Sequence, residues 1–207
     1  MKKTIKVMLS LLLVFSLVAC SSNKKSDPEP TASSSETQTT QTEHNALIVY
    51  YSATGNTENV ANQIADITGA DLFELEPVQL YTDEDLDWTD DNSRVVYEYE
   101  NENKRNVELV STEVENWDSY DTVFIGYPNW WGDMPQALYT FLEEYDLSGK
   151  AIIPFCPHGG SGFSNTINTI EELQPNAIIS EYGLSIPRDD VVNSEDTIVK
   201  WLNDLEF

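Results

Sequence analysis

Leu47-Ile-Val-Tyr-Tyr-Ser-Ala-Thr-Gly-Asn-Thr57 is the stretch whose reading decides the fold. Leu47 to Tyr51 are all apolar or aromatic, as in a strand covered on both faces. Ser52, Thr54, Gly55, Asn56 and Thr57 then supply hydroxyls, an amide and one permissive backbone position. After them Val60, Ile64 and Ile67 recur at helical spacing, and Gly69 ends the run. The start of a helix has unpaired N–H groups and a partial positive charge, so a loop of this kind favours a phosphate. It contains no Lys or Arg. A nucleoside-triphosphate loop would end in Lys, so ATP and GTP fit poorly. An ordinary strand–loop–helix with a cluster of capping residues has the same local pattern, and the loops downstream have to decide.

Ala70 to Leu75 alternates as a second strand, and Pro77 ends its pairing. From Tyr81 to Asn106 the chain is very polar, with a poor apolar stripe at Val95, Val96, Tyr97 and Tyr99; the reading is an exposed helix over residues 90–103. Tyr81 and Trp88 are read as satellite packing, with a role in roofing a ligand as the alternative. Asp121 to Ile125 is a third strand. Met134, Leu138, Phe141, Leu142 and Tyr145 mark a helix with Asp133 as N-cap, Pro135 in its first turn and Gly149 closing it. Ala151 to Phe155 is a fourth strand. Ile167, Ile170 and Leu173 mark a helix ending before Pro175. A fifth strand runs over Ala177 to Ser180, with a possible continuation to Ser185. Ile198, Trp201, Leu202 and Leu205 form one face of a last helix. Strands that alternate with helices in this way build a parallel sheet with right-handed crossovers, and such sheets bind ligands at the carboxyl ends of their strands.

Three loops meet at that edge. Besides Ser52–Thr57 they are Tyr127-Pro-Asn-Trp-Trp-Gly-Asp133 and Pro157-His-Gly-Gly-Ser-Gly-Phe-Ser-Asn165. Adjacent tryptophans in a loop would expose a large apolar surface, which a flat aromatic ligand covers by offset stacking. Core packing accounts for one of them as readily. The glycines of the third loop permit close backbone approach to a ring carbonyl. Taken together, the phosphate loop, the Gly126-Tyr-Pro-Asn-Trp-Trp131 loop and the Gly159-Gly-Ser-Gly162 loop resemble one branch of the flavodoxin family, over about residues 46–207. Tyr120-Asp121 and Leu147-Ser-Gly-Lys150 resemble the lead-ins to the third and fourth strands of that branch.

The resemblance implies a flavodoxin-like three-layer α/β sandwich, with a five-stranded parallel sheet in the order 2-1-3-4-5, and FMN as cofactor. It places Ser52, Thr54, Gly55, Asn56 and Thr57 on the phosphate. Pro128, Asn129, Trp130, Trp131 and Gly132 line the ring, and His158, Gly159, Gly160, Ser161 and Gly162 close its far side. The third loop lacks the stacking Tyr of small soluble flavodoxins, so the residue covering the outer ring face stays open. His158 is a candidate proton donor to a substrate, with a loop staple or ring hydrogen bond as the plainer alternative. No metal site is expected.

Upstream, Lys2, Lys3 and Lys6 precede an apolar run from Val7 to Val18, too short for a comfortable membrane span. With Leu17-Val-Ala-Cys20 behind it, the segment 1–19 resembles a bacterial lipoprotein leader, with Cys20 as the lipidated residue. A plain secretory signal is the alternative. Residues 20–44 are rich in Ser, Thr, Gln, Asn and Pro and read as a flexible tether of roughly 25–30 Å mean span. A single domain covers 45–207. With Cys20 lipidated, Cys156 has no intrachain partner and reads as a small buried apolar residue.

The chain carries 36 Asp and Glu against 11 Lys and Arg. That excludes nucleic acid and an anionic membrane surface as attractive partners and leaves a basic redox partner open. The expectation is a membrane-anchored carrier of electrons outside the cytoplasm, exchanging with a redox protein or a quinone. An NAD(P)H- or quinone-linked reductase on the same fold is the first alternative, and a cofactor-free binding lipoprotein is the second. Donor, acceptor and oligomeric state carry no sequence signal.

Overall fold

The structure is a computed structural model of the chain and describes residues 45–101, 107–205 and 207. The leader, Cys20 and the tether lie outside the described residues. Strand β1, Ala46–Tyr50, is buried at every position. Its alternate residues feed two different cores. Leu47 and Val49 face one apolar cluster and Ala46, Ile48 and Tyr50 the other, which is why the run shows no polar alternation. Helix α1 spans Asn56–Thr68 and buries Val60, Ala61 and Ile64; Gly69 follows in the left-handed conformation that ends it. Strand β2 is Asp71–Glu74.

Between β2 and β3 lies a long insertion. It leaves and returns through a short antiparallel neck, in which Val78 N–H donates to Glu108 O at 2.8 Å and Val110 N–H to Glu76 O at 2.8 Å. Pro77 thus sits in a bridge with Leu109 instead of ending all pairing. Helix α2 is shorter than the sequence suggests, Arg94–Glu100, and is not an exposed rod. Val95, Val96 and Glu98 are buried. Glu98 tolerates burial because Arg94 Nε donates to it at 2.7 Å and the Tyr81 hydroxyl at 2.6 Å.

Strand β3 is Thr122–Gly126, and α3 spans Gln136–Glu144. Pro135, not Asp133, is the N-cap of α3, and Tyr145, not Gly149, ends it. Asp133 instead ties the preceding loop to the helix. Its carboxylate accepts from Met134 N–H and from the Tyr139 hydroxyl, each at 2.8 Å. Strand β4 runs from Ala151 to His158, three residues beyond the expected end. Helix α4 is Thr166–Leu173. The fifth strand is broken in two, β5 (Ile178–Ile179) and β6 (Leu184–Pro187), and both pieces pair in parallel with β4. Gly183 sits in the break, where a Cβ would lie 2.8 Å from the Phe163 ring and 2.9 Å from Pro154 O. A 3₁₀ turn, Arg188–Asn193, leads to α5, Glu195–Asp204. The sheet order is 2-1-3-4-5, with helices on both faces. This is the flavodoxin-like α/β fold.

Candidate functional site

The carboxyl edge of the sheet carries a cavity of about 480 Å³, within the size range of small-molecule and cofactor sites. Its floor is built by the three loops. After β1, Ala53, Thr54, Asn56 and Thr57 line it. Gly55 turns the chain into α1 with φ 82°, and among the described residues no side chain caps the first-turn N–H groups of that helix. The Ser52 hydroxyl is buried and has no hydrogen-bond partner among the described residues. A buried hydroxyl without a partner costs free energy, and at the mouth of a helix it suits a ligand oxygen.

The loop after β3 supplies Pro128, Asn129, Trp130 and Trp131. Residues 130–133 close a two-residue hairpin, with Trp130 and Asp133 exchanging both backbone hydrogen bonds at 2.9 Å. Its central residues, Trp131 and Gly132, have φ of 52° and 82°. That is a type I′ turn, which favours Asn-Gly. A tryptophan in the left-handed region is strained, by about 1–2 kcal/mol. The strain is offset by an aromatic contact: Trp131 stacks on Tyr99 of the insertion, centroids 5.0 Å apart at 23°. Trp130 meets Tyr51 and Tyr81 edge-on, at 5.8 and 5.6 Å. Both indoles therefore line the cavity while anchored from behind.

The third loop is locked to the second. Asn129 Nδ2 donates to Gly162 O at 3.0 Å and to Phe163 O at 3.3 Å, and its Oδ1 accepts from Gly132 N–H at 2.9 Å. Asn165 N–H donates to Gly132 O at 3.2 Å. The Tyr127 hydroxyl donates to Thr166 Oγ1 at 2.8 Å, and that hydroxyl donates on to Phe163 O at 2.7 Å. His158, at the end of β4, accepts the Gly160 N–H on Nδ1 at 2.9 Å. The imidazole is thus the staple of its loop, and in its neutral form the ring proton sits on Nε2. Cys156 lies beneath, fully buried; burial pushes its thiol up to about 12.

The structure gathers Thr54, Asn56, Thr57, Pro128, Asn129, Trp130, Trp131, His158 and Gly159 around the cavity. Ser52, Gly55, Gly132, Gly160, Ser161 and Gly162 stand behind it, shaping the loops without lining it. The sequence reading missed Ala53, Leu86, Val95, Pro157 and Arg188, which complete the wall, and placed Trp88 beside it only as an alternative. Leu86, Trp88 and Val95 come from the polar insertion. Their apolar side chains there were the available signal, masked by the carboxylates around them.

A family model described as Flavodoxin matches residues 45–205. The chain belongs to the flavodoxin family. No protein of curated function matches it. A solved structure from Bacteroides eggerthii DSM 20697, provisionally described as a flavoprotein, is 32% identical, with a TM-score of 0.69 over 79% of this chain and 98% of that one. A second such structure, from Bacteroides uniformis ATCC 8492, is 31% identical, with a TM-score of 0.67 over 77% and 98% of the two chains. A flavoprotein from Lactobacillus acidophilus NCFM, solved in complex with FMN, shares the fold at 21% identity, with a TM-score of 0.53 over 72% and 97%.

Proposed function

We propose that this flavodoxin is an FMN-dependent electron carrier, held by a lipid on Cys20 at the outer face of the cytoplasmic membrane. The cofactor is FMN, in keeping with family membership and with the FMN complex of the Lactobacillus relative. The observation that carries the reading is the fit of the cavity. The start of α1, with no side-chain cap, lines the wall through Thr54, Asn56 and Thr57, with the unpartnered Ser52 hydroxyl buried behind that loop, and two anchored indoles line the same cavity.

Ser52, Thr54, Asn56 and Thr57 would hold the phosphate through hydroxyls and backbone N–H groups. Pro128, Trp130 and Trp131 would bound the ring by apolar contact, and Gly159 would allow close backbone approach. FMN supplies the one- and two-electron chemistry. The protein keeps water from the ring and opposes added negative charge through an apolar wall and an acidic surround. The leader pattern ending at Leu17-Val-Ala-Cys20 supports the anchor, and the acid excess supports a basic redox partner.

A reductase acting on a quinone is the second reading. It is favoured by His158, whose Nε2 proton is kept available by the staple on Nδ1. The test is the absorption spectrum of the purified chain, with the released cofactor weighed by mass spectrometry. A flavin spectrum and the mass of FMN are expected. A colourless chain that rejects added FMN would overturn both redox readings and leave the binding lipoprotein. Steady-state turnover with a quinone would move the assignment from carrier to reductase. Lipid labelling that survives Cys20→Ala would overturn Cys20 as the anchor.

A further inference from the structure

We propose that Arg188 makes the ionic contact to the 5′-phosphate of FMN and supplies the positive charge that the loop 52–57 lacks. The proposal rests on the FMN reading above. Its first support is charge selection. The chain has 36 Asp and Glu against 11 Lys and Arg. Yet among the described residues no carboxylate lines the cavity, and the one guanidinium there is that of Arg188. An acidic surface placed for solubility alone would ring the mouth with carboxylates. A wall cleared of them, with an Arg set into it, is suited to an anion.

The second support is position. Pro187 pairs with His158 at the end of β4, so Arg188 leaves the sheet at its carboxyl edge. The turn it opens, Arg188–Asn193, packs on α1: Gln63 Nε2 donates to Val191 O at 3.1 Å, and Ser194 Oγ donates to Gln63 Oε1 at 3.3 Å. Gln63 lies about two turns along α1 from Asn56. Val191 is level with Gln63, and Arg188 stands three residues back toward the sheet edge, on the side where α1 begins. It shares the cavity with Thr54, Asn56 and Thr57 of the phosphate loop.

The third support is that the present partner of Arg188 is weak. Its Nε lies 3.8 Å from Asp189 Oδ1, and the two side chains are 65% and 94% exposed. A loose pair in water contributes little. A phosphate offers a guanidinium two parallel charge-assisted hydrogen bonds instead. Two consequences distinguish this arrangement from a loop of hydroxyls and N–H groups alone. The preference for FMN over riboflavin is larger, and added salt costs the unmutated chain more FMN affinity than it costs R188Q, on top of the repulsion from the acidic chain that salt screens in both.

The test measures dissociation constants of FMN and riboflavin for the full-length chain freed of flavin, at low and high salt, in the unmutated protein, R188Q and R188K. R188Q is expected to weaken FMN by about tenfold or more, to leave riboflavin within about twofold, and to lose less FMN affinity to added salt than the unmutated chain. R188K keeps part of the charge and part of the affinity. Unchanged FMN affinity in R188Q overturns the proposal. So does an equal loss for both flavins, because Arg188 would then act on the ring or the fold. An unmutated chain that binds neither flavin overturns the cofactor reading itself, a result distinct from either of these. If R188Q does not fold, R188K decides: an R188K whose FMN constants match those of the unmutated chain at low and at high salt overturns the proposal.

Discussion

The loop after β1 and the pair of loops after β3 and β4 border the same cavity, but they treat their polar groups in opposite ways. In the second and third loops the groups are turned on one another. The Asn129 side chain alone makes three hydrogen bonds, two to the third loop and one within the second, and Tyr127, Thr166, Asn165 and His158 make more. In the first loop fewer groups are used: Asn56 Nδ2 donates to Thr54 Oγ1 at 3.3 Å, but among the described residues α1 has no side-chain cap and the Ser52 hydroxyl no partner. A rigid wall for a flat ring and a set of open donors for a phosphate are different requirements. The two regions meet them by closing one hydrogen-bond network and leaving the other incomplete.

The largest expected effect comes from cutting the closed network. Asn129→Ala removes three hydrogen bonds at roughly 1 kcal/mol each, so urea denaturation of the flavin-free chain should show a loss of about 3 kcal/mol. A loss below about 1 kcal/mol would mean that the loops are held by other contacts. Trp131→Asn comes next. It relieves the strained left-handed tryptophan but removes its stack on Tyr99, effects of similar size. The flavin-free stability should therefore move by no more than about 1 kcal/mol, while FMN affinity falls about tenfold in an equilibrium titration. An unaltered affinity would show that Trp131 does not bound the ring.

Ser52→Ala carries the opposite sign. Removing an unpartnered buried hydroxyl should leave the flavin-free chain as stable, or more stable by up to about 1 kcal/mol, and weaken FMN several-fold. A thermal melt showing clear destabilisation without ligand would contradict the open-donor description. The smallest effect is alkaline. Burial raises the Cys156 thiol from 9.0 to about 12, and burial and Glu74 raise the Tyr50 phenol from 10.0 to about 12. Each folded value exceeds the unfolded one, so the stabilisation is whole below pH 9 and is lost as pH rises from about 9 to 12. Stability curves through that window check it, and Cys156→Ala should flatten the portion near pH 9.

The closed and open regions also differ in how well the sequence reveals them. The first loop was legible because strand, glycine turn and helix are local, and each leaves its own residue signal from Leu47 to Gly69. The resemblance identified the second loop, yet Asp133 looked like a cap. Only the hairpin of residues 130–133 turns its carboxylate toward Tyr139. The insertion was the least legible part. Val95, Val96 and Glu98 sit among carboxylates in the sequence, and the burial of Glu98 is offset by Arg94, one helical turn away, and by Tyr81, which meets it only in three dimensions. Arg188 carries no motif. Its position follows from the register of β6 on β4, and the broken edge strand hid that register.

Three of the five tryptophans, Trp88, Trp130 and Trp131, line the cavity. The other two lie elsewhere: Trp117 stands edge-on to Tyr145 at 4.5 Å, and Trp201 donates its indole N–H to Tyr182 O at 2.7 Å. Three indoles therefore stand in the cavity wall and two stand away from it. A yellow ligand entering the cavity quenches the first group by contact and energy transfer, and the second pair by energy transfer alone. The molecule thus carries a built-in optical gauge of its own loading, readable without any label.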